Sequence, residues 1–161
     1  MAESERKSLK DLLPDLSALG SGDPQADAKA TAKKLHEYFS AHQHEVYVRV
    51  RSAAARAGGK LVGVKQSLKT EESVARKLLK DYKTTDYRQA LVKMKDILRF
   101  TVEFDEDTYV DQVPVFAMAM DALGYQMSRF TNYWDCGDGY NGINSNYWLS
   151  TRQQTMFEVQ F

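Results

Sequence analysis

Residues 95–104 read KDILRFTVEF. From Ile97 to Phe104 the run is dominated by β-branched, aliphatic and aromatic side chains. That composition predicts a central strand, the most hydrophobic one in the chain. Asp96 stands at its mouth. A carboxylate at the end of a buried strand is a common place for a magnesium ligand, and it is also a common way to end a helix. Arg99 lies three residues further on, so strand parity puts it on the face opposite Asp96.

On the C-terminal side, Asp105-Glu106-Asp107 reads as a turn, 109–123 as a helix stopped by Gly124, and 125–133 as a second strand. After a loop at 135–139, strands are expected over 143–150 and 155–161. On the N-terminal side, 84–93 and 70–82 read as helices, and 61–65 as a short strand or extended lead-in. A long helical pattern over 25–57 carries Leu35, Tyr38, Phe39, Val46 and Val50 as its apolar stripe and stops at Gly58-Gly59. A shorter amphipathic helix over 4–19 is set off by the break at 20–24. The order, helices and then strand–helix–strand–strand–strand, predicts an α+β (mixed α/β) domain: a small mixed sheet of about four to five strands with flanking helices.

The chain has 161 residues, enough for one domain with a substantial core. At 43% hydrophobic and 27% charged it matches ordinary globular composition, and it carries no apolar run long enough to span a membrane and no signal-peptide core. Cys136 is the only cysteine, which excludes an internal disulfide and suits a reducing compartment. His36, His42 and His44 share one helix without a nearby cysteine, so no zinc site is expected. The formal net charge is zero but polarised: residues 60–99 hold 11 Lys/Arg against 5 Asp/Glu, and residues 100–161 hold 2 against 9. A basic segment suits a polyanion and an acidic one suits a divalent cation. A nucleotide with magnesium needs both, although two solvated faces that complement each other would give the same counts.

Three further stretches carry chemistry. In LKTEESVARKL (68–78), Lys69, Ser73 and Lys77 recur every four residues and so share one helical face. Thr70 is the expected N-cap, which places Lys69 and Ser73 beside free backbone amides: a phosphate site, or a solvated lysine-rich face. In DGYNGINSNYW (138–148), Tyr140 stands between Gly139 and Gly142, where its ring is open to a flat base, and Asn144 can hydrogen-bond a sugar or base edge. In FEVQF (157–161), Phe157, Val159 and Phe161 alternate with Glu158 and Gln160. A period of two puts the carboxylate and the amide together on the face away from the core.

The order Lys-x-x-x-Ser-x-x-x-Lys, Asp before a strand, Gly-Tyr-x-x-x-Asn and Glu-Val-Gln resembles the RelA/SpoT-like synthetase family over roughly residues 60–161. The resemblance implies a nucleotidyltransferase-like synthetase fold, with 60–161 as the catalytic core and 1–59 as an N-terminal helical part of a single domain. It implies a nucleotide 3′-pyrophosphokinase that moves the β,γ-pyrophosphate of ATP to the 3′-hydroxyl of a purine nucleotide. ADP or ATP would give (p)ppApp; GDP or GTP would give (p)ppGpp. By the same resemblance Lys69, Ser73 and Lys77 contact the ATP phosphates, and Asp96 and Glu158 hold Mg2+. Glu158 also activates the 3′-hydroxyl, Tyr140 stacks on the acceptor base, and Asn144 and Gln160 assist.

This chain departs from the family at the arginines that hold the donor adenine. Ser67 stands where family members often carry one, and Arg99 follows Asp96 at three residues where the family arginine comes at five. Arg76, Arg88 and Arg99 remain for that role. The chain also stops at Phe161, where the family continues, as expected of a piece of a longer protein. No His-Asp hydrolase region precedes the synthetase part, and this loose variant looks more like the family's toxin branch than its housekeeping one. The resemblance therefore implies a secreted interbacterial effector domain that acts in the bacterial cytoplasm, drains ATP and is neutralised by an immunity protein. Two alternatives stay open: transfer to the 3′ end of tRNA, the one nucleic-acid partner the basic segment allows, and a catalytically inactive nucleotide- or partner-binding module.

Overall fold

A computed structural model of the chain describes residues 22–134 and 141–161. The expected helix over 4–19, Cys136 and Tyr140 lie outside the described residues.

Helix α1 (Pro24–Arg56) starts where Asp23 accepts a hydrogen bond from the Gln25 amide at 2.8 Å, with proline at the first helical position. Its stripe of Ala28, Ala32, Leu35, Phe39, Val46, Val50 and Ala53 is fully buried. The helix ends in a Schellman turn: Gly58 has φ +77°, the Gly59 amide returns to the Ala54 carbonyl at 2.8 Å, and the Gly58 amide returns to Ala55 at 3.2 Å. Strand β1 (Lys60–Val62) follows at once, and a single 3-10 turn at Val64–Gln66 takes the place of its expected continuation.

Helix α2 (Glu71–Lys77) is capped by the Thr70 hydroxyl and passes into a π turn at Leu78–Tyr82. Helix α3 (Tyr87–Lys93) is capped by Asp86. Then come β2 (Arg99–Glu103), α4 (Tyr109–Ala122), β3 (Met127–Asn132), β4 (Ile143–Ser150) and β5 (Thr155–Gln160). The result is an α+β fold: among the described residues, four α-helices and a five-stranded mixed sheet of order β1-β2-β5-β4-β3. Only β2 and β5 pair in parallel; the other neighbours are antiparallel.

One face of the sheet is the core. Phe100, Val102, Tyr147, Phe157 and Val159 pack in one buried cluster with Leu35, Phe39 and Val46 of α1 and Phe116 and Met120 of α4. The rings interlock, Phe116 meeting Phe161 edge-on at 5.0 Å and Tyr125 meeting Phe157 edge-on at 5.2 Å. No helix among the described residues is long and apolar enough to cross a membrane.

Gly59 is required by close approach. A Cβ placed there would lie 2.4 Å from the Phe104 ring and 2.9 Å from a Val102 methyl. Phe104 cannot yield freely, because Phe161 stacks on it at 5.8 Å and Tyr109 meets its edge at 6.3 Å. Gly59→Ala is therefore expected to cost about 1–3 kcal/mol of stability by overpacking. Urea denaturation of the variant checks this, and an unchanged midpoint would refute it.

Candidate active site

Strand register builds the other face of the sheet. Arg99 of β2 is opposite Glu158 of β5, Glu158 is opposite Asn146 of β4, and Asn146 is opposite Arg129 of β3. One step along, Thr101, Gln160, Asn144 and Thr131 form a second row. Residues opposite one another across a ladder point the same way. Two adjacent rows of polar side chains therefore cross four strands, on the side away from the aromatic core. Gln160 Nε2 donates to Glu158 Oε1 at 3.1 Å, and Arg129 Nε donates to Thr131 Oγ1 at 3.1 Å.

Asp96 reaches this face from the β2 entrance. The short segment 67–69 runs antiparallel to 97–99: the Arg99 amide donates to Ser67 O at 2.7 Å, the Lys69 amide donates to Ile97 O at 2.9 Å, and Leu68 bridges Leu98. This pairing fixes Lys69 beside Asp96. Lys77 arrives two helical turns later from α2. Both ammonium groups converge on one carboxylate oxygen, Lys69 Nζ at 3.0 Å and Lys77 Nζ at 2.8 Å from Asp96 Oδ2. All three side chains are a quarter exposed or less, so this is a shielded pair rather than a surface one. Asp96 Oδ1 is buried and has no hydrogen-bond partner among the described residues.

The parity expectation for Arg99 does not hold. Residues 94–96 are irregular, Ile97 is a bend, and the strand begins only at Arg99. Alternation cannot be counted through a bend. Arg99 therefore shares the face with Glu158, and its charge acts on that carboxylate together with those of Asp96, Lys69 and Lys77.

The two carboxylates are driven apart. Burial pushes Asp96 up, but its hydrogen bonds to Lys77 and Lys69 and their charges outweigh this and hold it below the usual carboxylate value. Burial and the nearby Asp96 charge push Glu158 up, and Arg99, Lys69 and Lys77 only partly counter them. Lys77 loses proton affinity to burial and regains more from Asp96, so it ends above the usual lysine value. One carboxylate stays ionised beside two cations, while the other has raised proton affinity: the division of labour expected of a metal ligand and a base.

The other expected residues are placed as follows. The Ser73 amide donates to Thr70 Oγ1 at 3.3 Å, and its hydroxyl accepts from the same atom at 3.1 Å, one turn before Lys77. Arg76 is exposed and lines a groove of about 710 Å3 between α1 and α2, with Lys29, Glu72, Leu79 and Lys80. That groove is formed by neither Asp96 nor Glu158, so Arg76 is not brought to the cluster. Ser67 is buried and accepts from Gln43 of α1 at 2.8 Å. Asn144 lies in the Gln160 row. Asn146 was not anticipated; it is 5% exposed, adjoins Glu158, and donates to the Lys95 carbonyl at 3.4 Å. The alternation Asn144–Asn146 in β4 was the available signal. Arg129 and Tyr82 had none. Arg129 enters by strand pairing alone, and Tyr82 by the π turn that sets its ring 5.8 Å from Lys77 Nζ.

No three His, Cys, Asp or Glu side chains cluster as a metal cage among the described residues. Asp96, with its orphan Oδ1, and Glu158, close enough to feel its charge, do fit magnesium, which takes one or two protein carboxylates and fills its remaining positions from water and substrate phosphates.

No protein-family model and no curated protein matches the chain. Among solved structures, the crystal structure of the complex between the Type VI effector Tas1 and its immunity protein is similar, with a TM-score of 0.54 and 23% sequence identity. The match covers 80% of this chain and 59% of that one. At this identity the likeness is one of fold.

Glu158→Gln keeps an acceptor for Gln160 and removes the buried charge. A carboxylate whose folded pKa lies above its unfolded value stabilises the fold at low pH and loses that contribution as pH rises through the folded pKa. The variant is therefore expected to melt a few degrees above wild type at pH 7, with the gap closing on acidification. Scanning calorimetry across pH tests this; equal melting temperatures at pH 7 would refute it.

Proposed function

We propose that this protein is an ATP-dependent nucleotide 3′-pyrophosphokinase. The observation that carries the reading is the pairing of Asp96 with Lys69 and Lys77 beside the Glu158–Arg99 row. Phosphoryl-type transfer asks for placed charge more than for covalent help, and this cluster supplies charge of both signs in a shielded position. Lys69, Lys77 and the Ser73 hydroxyl bind the donor phosphates, with Arg99 adjoining them. Asp96 and Glu158 would hold Mg2+, which would supply charge neutralisation of the triphosphate. The Glu158 carboxylate accepts the proton of the acceptor 3′-hydroxyl. The 3′-oxygen then bonds to the β-phosphorus of ATP, the bond from that phosphorus to the α,β-bridging oxygen breaks, and AMP leaves. Gln160 orients Glu158 through its hydrogen bond. Asn144 and Tyr140 serve the purine acceptor, ADP/ATP or GDP/GTP.

The setting we infer is that of an antibacterial effector, delivered into a target cell and restrained by an immunity protein. The fold likeness to an effector crystallised with its immunity protein supports this. This chain spans 59% of that one, so any part lying outside the match contributes nothing to the inference.

The test is one incubation series with γ-labelled ATP and magnesium, adding ADP, GDP, GTP or bulk tRNA singly. Label is expected in a more highly phosphorylated purine nucleotide, and Glu158→Gln is expected to lower the rate by about 10²-fold or more. Label only in tRNA would favour transfer to an RNA end. Nucleotide binding without any transfer would overturn the enzyme reading and leave a binding module.

A further inference from the structure

We propose that Lys69 and Lys77 form a latch on Asp96 that excludes free divalent cations, so that metal and polyphosphate enter the site as one unit. The inference rests on the site described above and concerns how that site is loaded.

Both ammonium groups hold the same oxygen, at 3.0 and 2.8 Å. The other oxygen, Asp96 Oδ1, is buried without a partner among the described residues. The carboxylate is thus presented with one side occupied by cations and the other unsatisfied. Around it stand the carboxylate of Glu158 and three cations, Lys69, Lys77 and Arg99, with Asp81 acting on Lys77 from further along the chain. A free divalent cation entering here brings two positive charges against the two ammonium groups that already hold the Asp96 carboxylate in a shielded position. Coulomb repulsion at such separations is costly away from bulk water. The remaining oxygen, Oδ1, is buried beside the two ammonium charges, which oppose a metal's approach until they withdraw.

A polyphosphate supplies the reason to withdraw. It brings several negative charges and many acceptor oxygens, to which ammonium groups bind as mobile point charges. The lysines can make the exchange without moving the backbone. Lys69 is held at its main chain by the bond to Ile97 O, while its four-carbon stem stays free to swing; Lys77 sits on a helix with the same reach. Withdrawal leaves Asp96 ionised and unpaired in a shielded position, which a divalent cation then relieves. Polyphosphate and metal therefore bind with positive coupling, and the coupling is reciprocal. A site loaded this way ignores free magnesium and admits the magnesium–nucleotide complex.

The test uses Mn2+ alone as the probe, followed by electron paramagnetic resonance on the full chain without nucleotide. Wild type is expected to bind Mn2+ weakly. Lys69→Met with Lys77→Met is expected to bind it at least tenfold more tightly, and adding Asp96→Asn to that pair is expected to abolish the gain. The single lysine variants, each expected to give part of the gain, carry the test if the double variant does not fold, with circular dichroism as the check on folding. Equal Mn2+ affinity in wild type and the folded lysine variants would overturn the latch, as would a gain that survives Asp96→Asn. The transfer assay on wild type is read separately: a Mn2+ gain without any transfer would uphold the latch and reject the pyrophosphokinase, while transfer without the gain would do the reverse.

Discussion

The parallel pairing of β2 with β5 is the constraint on which the rest depends. It is the one parallel pair in the sheet, and it joins the middle of the chain to its last strand. Its register, Arg99 against Glu158, sets a guanidinium beside the carboxylate and brings the Asp96 segment to the same end of the sheet. The ladder is closed on the other side by the 67–69 segment, whose backbone bonds to Ile97 and Arg99 place Lys69 against Asp96. A one-residue slip between β2 and β5 would turn Glu158 and Gln160 into the core and Val159 out of it. The burial of Phe157 and Val159 against α1 and α4 opposes that slip, so the hydrophobic side of the sheet holds the register that the polar side uses.

The electrostatics follow from this packing. Four charged groups act on Glu158, and three of them are cations, yet its proton affinity is raised, because burial is the largest influence and the Asp96 charge adds to it. Asp96 is as shielded as its neighbours but stays ionised, because two ammonium groups hydrogen-bond it directly. Glu158 accepts its hydrogen bond from the neutral amide of Gln160, whereas Asp96 accepts two from ammonium groups, and the two shifts go in opposite directions. The cost is a cluster of ionised groups in a partly dry place, which a fold under no demand but stability would replace with apolar contacts.

Much of the fold was legible locally. The alternation in FEVQF put Glu158 and Gln160 on the non-core face, the Asp23 and Thr70 caps marked where α1 and α2 begin, and Gly58-Gly59 marked where α1 ends. Of Lys69, Ser73 and Lys77, the two lysines meet on Asp96, although Lys69 precedes α2, which is only seven residues long before it becomes a π turn. The side on which Arg99 falls is not legible locally, because the bend at Ile97 breaks the alternation where 97–99 pairs with 67–69, a segment two helices away. Arg76 was misplaced because neighbouring helical positions differ by about 100°, so one residue's shift from Lys77 turns a side chain toward α1 instead of the cluster.

The sequence by itself determined the period of each element, its caps, and which residues of each strand avoid the core, since these rest on interactions within a few residues. Only the tertiary structure decided which of those residues meet. Glu158 has Arg99 on one side and Asn146 on the other because β5 lies between β2 and β4. Strand order is a choice among distant partners, and it is made by how the whole apolar face packs on α1 and α4. No window of sequence around Glu158 contains that information.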